Sequence, residues 1–278
     1  MGKEHEFHGV PFHCHTAAVK IIVGFSICAL TALAVTPAWS QIAVEPGARQ
    51  IFAKAAKRYG HVNSLQLRWK DTATEQFEKG GDIMGYAHGS LAFDRRGLLN
   101  WQSTAQSSRY SLVVVDSKNT SLLLSEKVNL RPHPAYERQP TKGRQTALDQ
   151  LGKRGDWFPT LSQWLQGISP LTRSAVIKLT QNSKITRYSA KTLPTAKFSN
   201  QPCDLVRVNV TYHDKKSLQE TYWFQKAGGQ LVRIQRKAST PGSAGNDIRI
   251  EAQQLNPKLA ATTFRFVPPK KATLVSAH

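Results

Sequence analysis

Apolar residues recur at three- and four-residue spacing near the start of the ordered-looking sequence: Ile51, Phe52, Ala55, Ala56 and Tyr59, with Arg49, Lys54, Lys57 and Arg58 falling between them. The spacing predicts an amphipathic helix opened by Glu45-Pro46 and ended by Gly60, with its basic face in solvent. The period then changes to two. Runs at 65–74, 83–93, 98–104, 110–116 and 121–125 read as strands, separated by turn residues at Gly80-Gly81, Arg96-Gly97, 106–108 and Lys118-Asn119. Links this short leave no room for crossover helices, so the strands form an antiparallel meander and not a parallel sheet.

The middle of the chain breaks the pattern. Residues 131–155 are polar and carry Pro132, Pro134 and Pro140. A second helix follows, with Asp156 as N-cap, Ser169-Pro170 as stop, and Trp157, Leu161, Trp164, Leu165 and Ile168 on one face. Two tryptophans on one helix suit either ordinary core packing or a movable lid over an apolar interior. Strands resume at 203–212, 220–225, 231–237 and 248–254, and TTFRFVPPKKATLV closes the chain with Phe264 and Phe266 pointing the same way. About ten strands and two or three helices predict a strongly curved antiparallel sheet, an incomplete β-barrel covered by helices.

The first 40 residues belong to a different class. Lys20 precedes an apolar run over 21–35, and Pro37-Ala38-Trp39-Ser40 offers small residues for signal peptidase. The expectation is a signal peptide over 1–40, cleaved after Ser40, and a single domain over 41–278. A retained membrane anchor is the alternative, although ~20 apolar residues are needed to span a bilayer. Residues 1–40 contain two basic and two acidic side chains, so the remainder keeps the full net charge of +20. For an exported chain this surplus points to an anionic membrane surface or an acidic acceptor protein, and away from nucleic acid; a merely solubilising surface is the plain alternative.

Candidate chemistry is sparse. Only Cys203 lies outside the signal, which excludes an intramolecular disulfide; it reads as a buried small residue or a thiol for intermolecular pairing. His61, His88, His133, His213 and His278 have no metal-ligand spacing, and neither a nucleophile elbow nor a phosphate-binding loop occurs. Asp71 with Glu75, and His213 and Asp214 with Glu220, are the nearest approach to an acid–base group. No cofactor, metal or catalytic residue is implied, and the expected state is a monomer.

One stretch resists the strand pattern: LAFDRRGLLNW, residues 91–101, places Asp94, Arg95 and Arg96 inside an apolar run. It resembles the LolA/LolB-like family of periplasmic lipoprotein carriers, in which an apolar strand ending in Arg-Pro is followed by a turn and an aromatic-bearing strand. LVVVDSKNTSLLL (112–124) is similar to the family's Asp-Gly-Lys hairpin, and FRFVPPKKATLV to its closing strand. The resemblance covers 48–126 and 203–275, with an expanded middle region at about 127–200. Here Arg96 replaces the family's proline, and Asp116-Ser117-Lys118 its turn.

The resemblance implies an incomplete barrel whose helical lid covers an apolar cavity for acyl chains. It also implies a lid latch at Arg95, whose guanidinium would hydrogen-bond lid carbonyls, while Arg96 stays an exposed turn charge. Taken with period-two alternation, it gives a lining of Leu67, Trp69, Leu91, Phe93, Leu99, Trp101, Leu112, Val114, Trp157, Leu161, Trp164, Val208, Phe264 and Phe266. The expected function is a non-enzymatic periplasmic carrier of lipid or acylated lipoprotein, with an envelope docking or regulatory protein, or a recruited enzyme, as alternatives.

Overall fold

In a computed structural model, the described residues are 41–75, 83–105, 110–125, 135–141, 144–154, 157–182, 184–238, 244–268, 270 and 272–275. The expected signal over 1–40, the expected turns at Gly80-Gly81 and 106–108, His133, His278 and the expected Asp156 cap lie outside them. So do residues 131–134 of the polar stretch.

The chain begins with strand β1 (Gln41–Val44) and helix α1 (Pro46–Gly60). Five strands follow: β2 (Ser64–Glu75), β3 (Ile83–Asp94), β4 (Leu98–Ala105), β5 (Tyr110–Val115) and β6 (Asn119–Ser125). The expected helix and meander are therefore present, with ends that differ by a residue or two. The middle region holds β7 (Ala135–Pro140) and helices α2 (Arg144–Gly152), α3 (Phe158–Leu165) and α4 (Arg173–Asn182). Then come β8 (Ile185–Phe198), β9 (Gln201–Tyr212), β10 (Ser217–Gln225), β11 (Leu231–Ala238) and β12 (Ala244–Leu255), a short 3-10 turn at Ala261–Phe264, and β13 (Thr273–Val275).

All thirteen described strands join one sheet in the order β1-β8-β9-β10-β11-β12-β2-β3-β4-β5-β6-β7-β13. Its two ends do not meet, so the barrel is incomplete. Register shifts at Ala73/Thr74, Trp223/Phe224 and Ile250/Ala252 supply the bends that curl so wide a sheet. The antiparallel expectation is corrected at both edges, where β1 pairs parallel with β8 and β13 parallel with β7. Each edge is closed by a terminal segment that arrives from outside the meander, so no tight turn dictates its direction.

Helices and the inner sheet face share one apolar core. It runs from Phe52 and Tyr59 of α1 through Trp164 of α3 to Leu67, Leu91, Val206 and Phe224 of the sheet. A separate cluster on the other face joins Val114, Leu123 and Phe266, with Leu112 and Tyr136 packed against it. The C-terminal segment thus covers the outside of β4 to β6, where Asn100 also donates to the Thr263 carbonyl at 2.6 Å. Residues 264–266 form no strand: Phe264 ends the 3-10 turn, and β13 closes the chain instead.

Candidate functional site

The site is the interface between helices α1 to α3 and the concave sheet face. Sequence alone explains how α1 gets there. Its buried residues Ala48, Phe52, Ala55, Ala56 and Tyr59 form one stripe. At its start, Glu45 accepts from the Thr192 backbone N–H at 2.9 Å and hydroxyl at 3.0 Å, tying the helix to β8. Near its end, the Tyr59 hydroxyl accepts from the Leu231 N–H and from Gln253 at 2.7 Å, and burial raises its pKa.

Helix α3 ends at Leu165, four residues before the expected stop. The Gly167 N–H donates to the Trp164 carbonyl and the Ile168 N–H to the Gln163 carbonyl, with Gly167 at φ +77°. This left-handed cap satisfies the last carbonyls and turns Ile168 outward, where it is 45% exposed and leaves the predicted face. Gly167 also lies against Gly60: a Cβ on Gly60 would come within 2.7 Å of the Gly167 Cα. Two bare backbones therefore bring the ends of α1 and α3 into contact.

Aromatic rings fill the interface in two groups. Phe52 and Tyr59 surround Trp164 together with Tyr222 and Phe224, and Tyr59 stacks on Trp164 at 5.6 Å and 11°. The second group stacks Trp69 on Trp101 at 6.1 Å, with Phe158 edge-on to both and Trp157 stacked on Phe158 at 4.6 Å. Arg154 lies over the Trp101 ring at 5.7 Å, and burial lowers its pKa. Gly89 makes room for Trp69, because a Cβ there would stand 2.3 Å from the indole. Inside this interface the indole N–H groups of Trp101 and Trp164 are buried and have no hydrogen-bond acceptor among the described residues.

Arg95 sits in the turn after β3. Its Nε donates to the Val62 carbonyl at 3.0 Å, its terminal nitrogen to the Gly60 carbonyl, and its backbone N–H to Asn63. These carbonyls belong to the end of α1 and the link behind it, and the cation faces the negative end of the helix dipole. The contact thus reaches α1, not the tryptophan-bearing helix, although α1 touches α3 through the two glycines. Arg96 is 71% exposed and pairs with Asp94 at 2.8 Å; that bond holds the Asp94 carboxyl below its ordinary pKa.

Of the expected lining, Leu67, Trp69, Leu91, Phe93, Leu99, Trp101, Trp157, Leu161, Trp164 and Val208 all lie in the main core. Leu112, Val114 and Phe266 lie in the outer cluster, and the inner face of β5 is carried by Val113 and Val115 instead. Phe264 is buried near β4 but belongs to neither cluster. The physical reason is that β5 is apolar on both faces, so alternation could not say which faced inward. Sequence reasoning missed Phe158, Tyr222, Phe224 and the α2 residues Leu148 and Leu151; Tyr222 and Phe224 alternate along β10 and carried a usable signal.

A polar group borders the aromatic core on β10 and β11. Glu220 pairs with Arg236 at 2.7 Å and accepts from the Tyr222 hydroxyl at 2.7 Å; burial raises the Tyr222 pKa well above its ordinary value. The conceivable acid–base group is not assembled, because Asp214 pairs instead with Lys216 at 2.9 Å in the exposed turn. Asp71 accepts from Asn246 at 3.0 Å. Cys203 is buried, which raises its thiol pKa. Among the described residues no group of three or more His, Cys, Asp or Glu could hold a metal ion, and no helix is long and apolar enough to cross a membrane.

A scan against protein-family models returns no match, and a search of curated proteins returns none. Similar solved structures include MucB, at 11% identity over 80% of this chain and 64% of that chain, with a TM-score of 0.43. The chain thus spans less than two thirds of the MucB chain. The Mycobacterium tuberculosis lipoprotein LppX is similar at 10% identity over 78% of this chain and 99% of that one, with a TM-score of 0.42. A LolA superfamily protein from Nitrosomonas europaea is similar at 10% identity, covering 79% and 97%, with a TM-score of 0.32.

Proposed function

We propose that the protein is an exported, non-enzymatic carrier that takes lipid or lipoprotein acyl chains between helices α1 to α3 and the concave sheet face. The observation that carries this reading is the pair of buried indole donors, Trp101 and Trp164, which have no acceptor among the described residues and lie inside an aromatic interface. An unsatisfied buried donor costs ~1–3 kcal/mol, so each calls for a partner. An acyl chain brings both things the interface lacks: methylenes to lie against the rings and a carbonyl oxygen to accept from an indole.

Admission of a chain requires the helices to move. In this reading Arg95 is the latch that sets the closed state, because its bonds end on main-chain carbonyls of α1 and can break without loss of any covalent or core contact. Catalysis is left aside because Glu220 and Asp214 are each engaged by a base. Native mass spectrometry of the protein recovered from a bacterial envelope tests the proposal. Adducts of lipid mass are expected; a bare protein that also takes up no added fatty acid refutes it.

A further inference from the structure

The outer face of the sheet is divided in two. The C-terminal segment covers β4 to β6, whereas β11, β12, β2 and β3 carry a row of bases, of which Arg249, Lys70 and His88 are exposed and Arg233 is largely covered. Arg233 stands opposite Arg249, Arg249 opposite Lys70, and Lys70 opposite His88, on four neighbouring strands. Arg68 projects from the next outward position of β2, and Lys70, Arg68 and His88 are exposed. Asp247 holds Arg233 at 2.6 Å and Arg249 at 2.8 Å, and Glu251 is the other carboxylate on β12. Lys70 and Arg68 ion-pair with no described residue. Like charges directly opposite one another in a sheet repel, and although Asp247 offsets Arg233 and Arg249, no described residue offsets Lys70 opposite Arg249, where a bound polyanion would supply the missing negative charge.

We infer that this face docks on an anionic lipid bilayer. Three observations choose a membrane over a single acidic polypeptide. The bases are spread at the ~4.8 Å strand spacing across an open sheet surface, which suits a diffuse and laterally mobile layer of headgroup charge. The row runs across the strands, so a peptide adding by backbone hydrogen bonds would find no free edge along it. Its end is aromatic: Trp223 stands opposite Arg233, whose guanidinium lies 5.3 Å from that ring and 5.6 Å from Phe198, while Tyr86 is 47% exposed on β3. Such side chains favour the level of lipid headgroups. The inference is independent of acyl binding, since it concerns the opposite face of the sheet.

The test is co-sedimentation of the expected exported form, residues 41–278, with vesicles of phosphatidylglycerol and phosphatidylethanolamine, and with vesicles of phosphatidylcholine. Binding is expected to the first only and to fall steeply with added salt. Neutralising one base near an anionic surface weakens binding on the order of fivefold. Arg68→Gln/Lys70→Gln/Arg249→Gln is therefore expected to lose about a hundredfold, whereas Arg49→Gln/Lys57→Gln/Lys178→Gln, which removes equal charge from the helical side, stays within about threefold of wild type. Both triple variants are expected to melt near the wild-type temperature, because Arg68 and Lys70 are exposed and the Arg249–Asp247 pair lies at the surface. Equal losses in the two variants, binding to neither vesicle, or retention on polyglutamate without vesicle binding would overturn the inference.

Discussion

Arg95 offers the sharpest single-residue consequence. Its two guanidinium bonds go to Val62 and Gly60, and neither carbonyl has another described side-chain donor. Arg95→Leu should destabilise the fold by about 2 kcal/mol, the scale for losing hydrogen bonds to a charged group, and should speed amide exchange at the end of α1. Denaturant melts and exchange mass spectrometry check this; wild-type exchange at 56–62 would remove Arg95 from any role in holding the helix. Arg96→Ala serves as the contrast. Its bond to Asp94 is at the surface, so little change in stability is expected.

At the scale of elements, the arrangement depends on two close approaches of backbone. Gly60→Ala forces its Cβ onto Gly167 and should cost about 1–3 kcal/mol by prising α1 from α3, while Gly89→Ala drives into the Trp69 ring and the Gln102 carbonyl. Tryptophan fluorescence should report Gly89→Ala through Trp69, and an unshifted spectrum would argue against this packing. The same elements show what the sequence could reveal. Helix α1 was legible because its stripe is continuous, and β2 to β4 because polar and apolar residues alternate. Helix α2 was not, since its buried residues Ala147, Leu148 and Leu151 are few and sit beside buried Gln150 in a polar sequence, and α4 and β8 carry no stronger pattern. Strand β8 is long and polar, interrupted by Pro194, and sits one strand from the sheet edge. Arg95 could be singled out as a charge in an apolar run, but its partners could not, because they lie more than thirty residues away in the chain.

For the whole molecule, buried phenols make alkaline pH the revealing condition. Burial raises the pKa of Tyr59, Tyr188 and Tyr222 above the ordinary 10.0. Each contributes stability that is fully present below the unfolded-state value and is lost as pH rises from there toward the folded-state value. Unfolding should therefore be favoured above about pH 10. Absorbance at the tyrosinate band should rise together with loss of circular dichroism, and early titration of every tyrosine in a still-folded protein would contradict the burial. If the aromatic interface opens to admit acyl chains, titration of the protein with a fluorescent long-chain fatty acid will reveal it. Saturable one-to-one binding that quenches the core tryptophans is expected, with faster uptake by Arg95→Leu; no saturable binding below the probe's aggregation concentration, by either protein, would contradict an interface that opens.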